Sequence, residues 1–423
     1  MRVAWGLILL GMLGVSTAAS GSGDRVGDLL FDLEVGRPEV RMAAVRALGN
    51  AHDSRALEPL QELARNLAEK SDLREEAILA LGKLGYREAV PVLRDIALNP
   101  RDKDDVRIVA VEMVSRLDRR GSVRELAERF EDRRDDDDVR EAILAYLDRA
   151  DSSRALPSLL LVAENPRDDD DIRGAALDLA VRLDRARLER TLENLILARQ
   201  DDRDVRRRAL ELAAEDPAPL VEALIDVAGD AGDRDEVRLA ALGALIAAAD
   251  SRADETILDI IADSRDDWEV RVRALDYFRR RRPSGWEETV RARATDPKDK
   301  DTLRVAAFGL LADRESESAR EDALRIVSLA SEDDEVRAAA AAYLGVVGDS
   351  DSCAALLNVL QQPTRSGFLG LFRGGPSPAF QAACIRSLAR LRCSEARDVI
   401  DYLSRRSEEL EVKKAAREAL GQL

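Results

Sequence analysis

Side chains that could carry out catalysis are scarce in this chain of 423 residues. His52 is the only histidine, which excludes histidine-based zinc sites and triads with a histidine base. Phosphate-binding glycine loops are absent. The aspartate runs at residues 135–138 and 168–171 carry the oxygen ligands that calcium prefers, but they lack the glycine and distant glutamate of an EF-hand loop. N-capping of helices explains these runs better, so we expect no metal, no cofactor and no enzymatic activity.

Side chains typical of binding surfaces concentrate in one stretch. Residues 264–295 contain nine Arg and six acidic residues, with two of the three Trp in the chain. Trp and Arg are enriched at binding hot spots, which predicts an aromatic and cationic patch, although the arginines could equally solvate a turn. Tyr277 and Phe278 fall at core register and are expected to be buried. The candidate partner-binding residues of the patch are Trp268, Trp286, Arg279 and Arg280.

An acidic stretch precedes this patch. Residues 201–263 contain 17 Asp and Glu against seven Arg. Glu222 and Glu255 lie 33 residues apart in the first turns of predicted helices, where the helix dipole favours an acid. Asp226 and Asp259 lie one turn further along and lack that explanation, so they suggest an acidic groove and are added to the candidate partner-binding residues.

The whole chain is acidic, with 83 Asp and Glu, 66 Lys and Arg, and a formal net charge of −17. Such a surface repels nucleic acids and anionic lipids. We therefore expect a protein or peptide partner, or a cationic ligand, and no nucleic acid.

A nearly constant period relates the elements that must position these residues. An aliphatic residue followed by a cation recurs from Val40 to Val336 in steps of 33 residues, with one step of 32, and again at Val412 and Lys413. A fixed period of this length predicts a solenoid, in which each unit packs only on its neighbours. The arginines of the series are Arg41, Arg74, Arg107, Arg140, Arg173, Arg206, Arg238, Arg271, Arg304 and Arg337.

Residues 137–163 illustrate one repeat. Apolar residues at three- and four-residue spacing form one helical stripe over 139–147 and a second over 155–163, separated by the turn signal at 151–153. We call these the A helix and the B helix. The arginine of each A helix is expected to be more exposed than the stripe and to reach an aspartate of a neighbouring loop. Because exposed ion pairs contribute at most about 1 kcal/mol each, burial should hold the stack and the arginines should fix its register.

The pattern acid-x-Val-Arg-x-x-Ala-x-x-x-Leu, seen from Asp235 to Leu245 and from Asp334 to Leu344, resembles HEAT-like repeats, particularly the short bacterial type also found in phycobilisome lyases. The resemblance covers most of residues 38–423. It implies an all-α solenoid of about eleven helix pairs, which mostly serves as a scaffold for binding. A phycobilin lyase activity is implied only remotely.

The N-terminus is typical of a secretory signal peptide. Arg2 precedes an apolar run from Val3 to Val15, and small residues lead to a predicted cleavage near Ser20. The run is short for a membrane span. We expect an exported bacterial protein, periplasmic or secreted; an uncleaved N-terminal anchor is the alternative. The predicted domains are a signal peptide at 1–20, a cap helix at 21–37, repeats 1–10 at 38–362, an insertion at 363–378, repeat 11 at 379–408 and a C-terminal cap helix at 409–423.

The insertion and the cysteines supply further candidate sites. The insertion is rich in glycine and has four large apolar residues, which could dock a partner or lipid, or fold back over the last repeats. Cys384 falls where Ala340 falls one repeat earlier, which indicates a small core residue. Cys353 and Cys393 both fall near turns and could form a disulfide if their Cα atoms lie within about 7 Å. The apolar residues of the insertion are Phe368, Leu369, Leu371 and Phe372.

These patterns predict an exported protein-interaction scaffold that binds a protein or peptide on the inner face of the solenoid, built largely from B helices. The alternative is an envelope assembly component or structural spacer, docked through the insertion and the ends of the chain. A binding module should present a contiguous cluster of side chains on its inner face, whereas a spacer should make its contacts at its ends.

Overall fold

A computed structural model describes residues 24–361, 365–366 and 373–423 of this chain. The predicted signal peptide and the four apolar residues of the insertion, Phe368, Leu369, Leu371 and Phe372, lie outside the described residues. In the described part, no helix combines the length and the apolar character needed to cross a bilayer.

The described chain forms eleven helical hairpins between two additional helices, which confirms the predicted count of helix pairs. Helix α1 (Arg25–Val35) comes first and α24 (Leu410–Leu420) comes last. The A helices are α2 (Pro38–Gly49), α4 (Ser71–Leu84), α6 (Asp104–Leu117), α8 (Asp137–Ala150), α10 (Asp170–Asp184), α12 (Arg203–Glu215), α14 (Asp235–Ala248), α16 (Trp268–Leu275), α18 (Asp301–Asp313), α20 (Asp334–Val347) and α22 (Pro378–Arg390). The B helices are α3 (Leu57–Arg65), α5 (Val90–Leu98), α7 (Val123–Phe130), α9 (Leu156–Ala163), α11 (Glu189–Leu197), α13 (Val221–Gly229), α15 (Asp254–Ala262), α17 (Trp286–Thr295), α19 (Arg320–Ser328), α21 (Ser350–Gln361) and α23 (Arg397–Arg406).

Short 3₁₀ turns connect most A helices to their B helices. A residue with positive φ precedes several of these turns, for example Asp151 at 48° and Ala249 at 49°. The 3₁₀ turns are Ser54–Ala56, Arg87–Ala89, Ser153–Ala155, Arg185–Arg187, Ala218–Leu220, Ser251–Ala253, Asp276–Arg279, Glu317–Ala319 and Ser394–Ala396. Two strands within the predicted insertion, β1 (Arg365–Ser366) and β2 (Arg373–Gly374), pair antiparallel with Arg365 opposite Gly374.

The chain divides into two compact units. The first unit comprises the residues up to Ala163 together with Asp178–Leu183. The second unit comprises Glu164–Leu177 and Asp184–Leu423. Within each unit an A helix packs on the B helix that precedes it and on the next A helix, as α4 packs on α3 and on α6 in the first unit. Each hairpin therefore buries its apolar stripes against its sequence neighbours.

Neighbouring A helices approach closely where one of them carries glycine. Gly345 of α20 lies against α22, so that an added Cβ atom would be 2.7 Å from the Cβ atom of Ser387. Gly49 of α2 has the same role against Ala80 of α4, at 2.8 Å. A side chain at either position would collide with the next repeat.

The arginine of each A helix from α4 to α20 is buried, so the expectation of a more exposed side chain is wrong. Arg107, for example, is 1% exposed. Its Nε atom donates to the carbonyl oxygen of Ala97 at the end of the preceding B helix (3.2 Å), and its terminal nitrogens donate to both carboxylate oxygens of Asp135 in the following loop (2.5 Å each). The guanidinium can be buried because a carbonyl oxygen at a helix end and a carboxylate accept the hydrogen bonds that its N–H groups donate.

We call this arrangement the Arg–acid clamp, an A-helix arginine paired with an acid of the loop that precedes the next A helix. Because the clamp joins two consecutive repeats and is buried, breaking it should cost about 3–5 kcal/mol rather than the small value of an exposed pair. The clamps include Arg74–Asp102 and Arg107–Asp135 in the first unit, and Arg173–Asp201, Arg206–Asp233, Arg238–Asp266, Arg271–Asp299 and Arg304–Glu332 in the second. The half-buried Arg41 contacts Glu69 at 2.7 Å in a similar way.

Candidate binding surfaces

The aspartate-rich loops are used by the fold itself. Asp136 accepts hydrogen bonds from the backbone of Asp138 and Val139 and so caps α8. Asp169 caps α10 in the same way. Beside Asp136, the carboxylate of Asp135 belongs to a clamp. Among the described residues, no three His, Cys, Asp or Glu side chains converge in an arrangement that could hold a metal ion.

The eighth repeat departs from the others because its A helix ends early. Helix α16 has 8 residues and is followed by the 3₁₀ turn Asp276–Arg279, whereas α14 and α20 have 14. The break is not evident in the sequence, since Tyr277 and Phe278 continue the apolar register across it. Both rings are buried as expected. The Tyr277 hydroxyl donates to the carboxylate of Asp254 at 2.7 Å.

Trp286 is a core residue of this repeat, so its prediction as a partner contact is wrong. Its side chain is 7% exposed and packs on Phe278, with ring centroids 6.2 Å apart. Trp286 therefore covers a ring of the 3₁₀ turn that follows the early end of α16. Trp268 is half-buried and is the first residue of α16.

The arginines of the predicted patch have different environments. Arg279 forms ion pairs with Asp276 (3.2 Å) and Asp313, which ties it to the fold. Arg280 is exposed and donates to the carbonyl oxygen of Ala247 at 3.3 Å. Burial lowers the pKa of the nearby Arg314, and the charges of Arg282 and Arg279 lower it further. Positive charge is therefore concentrated here. Of the four predicted residues, Arg279, Arg280 and part of Trp268 are exposed, and Arg279 is already engaged in ion pairs.

Asp226 and Asp259 lie at equivalent positions of two consecutive B helices. Asp226 is exposed on α13 and Asp259 is exposed on α15, and the two helices are in contact. Neither helix contains a basic residue. No ion pair joins either carboxylate to another described side chain, whereas Glu222 on α13 pairs with Arg252 at 3.1 Å. The surface of these two helices is negatively charged and unneutralised at both aspartates.

Cys353 and Cys393 form a disulfide with Cα atoms 6.0 Å apart. The bridge joins α21 to the turn that follows α22. It borders a cleft of about 610 Å³ whose lining includes Leu357 and Leu391. Cys384 is free and buried, and burial raises the pKa of its thiol.

Helical hairpins stacked on their sequence neighbours define the fold class of this chain as an α/α solenoid. Residues 29–112 match the family model described as HEAT repeats, and residues 336–362 match the one described as PBS lyase HEAT-like repeat, so these two stretches are similar to HEAT-like repeats. The resemblance drawn from the arginine motif is confirmed by both matches. No curated protein matches the sequence.

Structures of other proteins resemble the chain in fold. The crystal structure of Kap121p has a TM-score of 0.56 at 13% identity, covering 94% of this chain and 48% of that one. Kap95p, in a structure with RanGDP, has a TM-score of 0.53 at 12% identity, covering 94% of this chain and 61% of that one. A homology model of the full-length AP-3 complex in an intermediate open conformation has a TM-score of 0.52 at 13% identity, covering 94% of this chain and 80% of that one. At these identities the likeness establishes the fold alone, and the chain spans only about half to three fifths of the two karyopherin chains.

Proposed function

We propose that this chain is a protein-interaction scaffold that binds a basic segment of another protein on the surface of its B helices. The observation that supports the proposal is the pair Asp226 and Asp259, two exposed carboxylates one repeat apart on adjacent helices without basic residues. Most acids of the neighbouring loops are consumed by the fold; Asp233 and Asp266, for example, belong to clamps. A side chain that the fold does not use is free to meet a partner. The position of this surface on the inner side of the solenoid stays a prediction.

Charge complementarity sets the chemistry of the partner. Two aspartates in a negatively charged surrounding attract Lys and Arg side chains, and such pairs mainly raise association rates and specificity. Kap95p, whose fold this chain resembles, is described together with a protein, RanGDP. That likeness supports a scaffold role by analogy of fold only.

Crosslinking in the native compartment followed by mass spectrometry tests the proposal. Crosslinks from the partner should fall on α13, α15 and the adjoining B helices. With the captured protein in hand, Asp226→Asn with Asp259→Asn should weaken its binding about tenfold at low salt, with a smaller effect at high salt. The matched control is Glu112→Gln with Glu141→Gln, which neutralises two exposed acids on A helices. An equal loss of affinity in both double variants, or no loss in either, would show that the aspartate surface is not part of the binding site.

A second set of variants asks whether the eighth repeat extends this surface. Trp268→Ala with Arg280→Ala removes the two predicted patch residues that are at least partly exposed and form no ion pair with another described side chain. Undiminished capture of the partner by this variant would confine binding to the acidic surface.

We further propose that the chain acts outside the cytoplasm, in the periplasm or the medium. The N-terminal sequence supports export, and the Cys353–Cys393 disulfide is compatible with an oxidising compartment. Cell fractionation with N-terminal sequencing should recover a chain that begins near Gly21. Recovery of the intact N-terminus in the cytoplasmic fraction would exclude export.

The alternative function is an envelope spacer that docks through its terminal elements. Helix α1 exposes Phe31 and Val35 (64% and 60%), and Leu410 at the start of α24 is 82% exposed. Such apolar side chains on terminal helices favour contacts there. In this case the crosslinks to the partner would cluster on α1, on α24 and in the insertion, and the aspartate variants would bind normally.

A further inference from the structure

The joint between repeats 10 and 11, in the second unit, lacks the Arg–acid clamp. In the clamped joints the acid precedes the aliphatic residue of the next A helix by four positions, as Glu332 precedes Val336. At the joint between repeats 10 and 11 the aliphatic position is taken by Phe380, and Pro376 stands where the acid would be. Gln381 replaces the next arginine of the series. The side chains that make the clamp are therefore missing on the repeat-11 side.

The arginine on the repeat-10 side is present and buried, but it finds other partners. Arg337 is 4% exposed. It donates to the carbonyl oxygen of Val327 (3.0 Å) and to Asp334 of its own helix (2.8 Å). Its guanidinium lies 4.2 Å from the centre of the Phe380 ring. The contact of Arg337 with repeat 11 is thus a cation–π contact, which is weaker than a buried bidentate ion pair.

A covalent bond connects the same two repeats. Cys353 belongs to the B helix of repeat 10 and Cys393 to the turn of repeat 11, and the bridge closes 40 residues of sequence that include the insertion. A long connection raises the entropic cost of docking the segment on its far side, and a crosslink that closes such a loop offsets that cost. The covalent link therefore lies where both the clamp and the short connection are lost.

We propose that the Cys353–Cys393 disulfide takes the place of the missing clamp, so that the C-terminal segment from Pro378 to Leu423 is held in register by oxidation. Cys353 is half-buried and borders the cleft beside the bridge, which gives a small reductant access to the bond. Reduction would loosen the last repeat and α24 and leave the clamped repeats intact. The proposal does not depend on the proposed partner or its surface.

Hydrogen–deuterium exchange of the full chain, with and without a phosphine reductant, tests the proposal. On reduction, amide exchange in α22, α23 and α24 should become faster by on the order of 30-fold, which corresponds to a modest disulfide contribution. Exchange in α14 and α18, whose joints carry clamps, should not change. Unchanged exchange in the C-terminal segment would overturn the proposal, and so would a uniform increase along the whole chain.

Variants separate the bridge from the reductant and test the replacement itself. Cys353→Ser with Cys393→Ser should reproduce the reduced pattern under oxidising conditions, while Cys384→Ala, which removes the free thiol, should retain slow exchange. Adding Pro376→Asp to the double serine variant restores an acid opposite Arg337 and should slow exchange in α22 again. Fast exchange that Pro376→Asp leaves unaltered would show that the disulfide does not stand in for a clamp.

Discussion

At the scale of single residues, the buried arginines largely determine how each repeat is positioned on the next. Each clamp arginine extends from its own A helix to the preceding B helix and to the following loop. Its contacts therefore depend on the relative positions of all three elements. Arg238 illustrates this, with the carbonyl oxygen of Ala228 at 3.1 Å and the carboxylate of Asp266 at 2.6 Å. Its removal would leave Asp266 buried without a counter-charge, which is more costly than the loss of the pair itself.

The first prediction concerns that pair. Arg238→Ala should lower the free energy of unfolding by about 3–5 kcal/mol, because the charge of Asp266 is left uncompensated. The exposed pair of Arg207 and Glu211 provides the control, and Arg207→Ala should cost less than about 1 kcal/mol. Urea unfolding followed by circular dichroism measures both. Similar costs for the two variants would contradict a structural role for the clamp.

The second prediction is the pH dependence of stability. Burial alone would raise the pKa of Asp135, but hydrogen bonds from Arg107 and Arg129 hold it well below its ordinary value. Arg304 likewise lowers the pKa of Glu332. A carboxyl group with a lowered pKa in the folded state stabilises above its unfolded pKa and loses that contribution as the pH falls towards its folded pKa.

The free energy of unfolding should therefore be steady from neutral pH to about pH 5 and should fall progressively below about pH 4. Urea midpoints measured between these values test the direction. In Asp135→Asn the stability is lower at neutral pH and the decline on acidification should be shallower. A stability that rises on acidification would contradict the assignment.

At the scale of elements, periodicity predicted the helix pairs because each stripe buries the same side chains at the same spacing. It did not predict the burial of the arginines, since the sequence does not reveal that a helix end and a loop acid converge on one guanidinium. It also missed the early end of α16, because Tyr277 and Phe278 keep the apolar register whether the backbone is α-helical or 3₁₀. The burial of Trp286 against the 3₁₀ turn was missed as well.

The third prediction compares two glycines in the middle of A helices. Gly345→Ala places a Cβ atom against Ser387, and we expect a loss of about 1–3 kcal/mol of stability. Gly309 in α18 has no atom within 4 Å of an added Cβ, so Gly309→Ala should stabilise by up to about 1 kcal/mol through helix propensity. Opposite signs in thermal unfolding are expected; equal signs would show that the α20–α22 contact adjusts freely.

At the scale of the whole molecule, contacts within each of the two units are made between neighbours along the sequence, and each unit is stabilised repeat by repeat. Stability in such a chain is close to a sum of repeat and interface contributions. Damage to one repeat should therefore spread to adjacent repeats and fade beyond them. This behaviour distinguishes a stack of repeats from a protein with one shared core.

The fourth prediction tests this locality. Leu81→Ala truncates a fully buried side chain of α4 and should cost about 2–5 kcal/mol in that region. Hydrogen–deuterium exchange should become faster in α2, α4 and α6 and stay unchanged in α18 and α20. Faster exchange throughout the chain would mean that the repeats unfold as one cooperative body.

The fixed distance between each buried arginine and its acid also limits how this chain can change in length. Excision of residues 234–266 would remove Arg238 together with its partner Asp266. The pairs Arg206–Asp233 and Arg271–Asp299 would both be kept, so no buried charge would lose its partner. Excision of about half of that stretch would orphan an arginine or an aspartate in the interior. A gene of this kind can gain or lose whole repeats with little loss of folding stability, whereas insertions or deletions of other lengths leave buried charges unpaired and destabilise the fold.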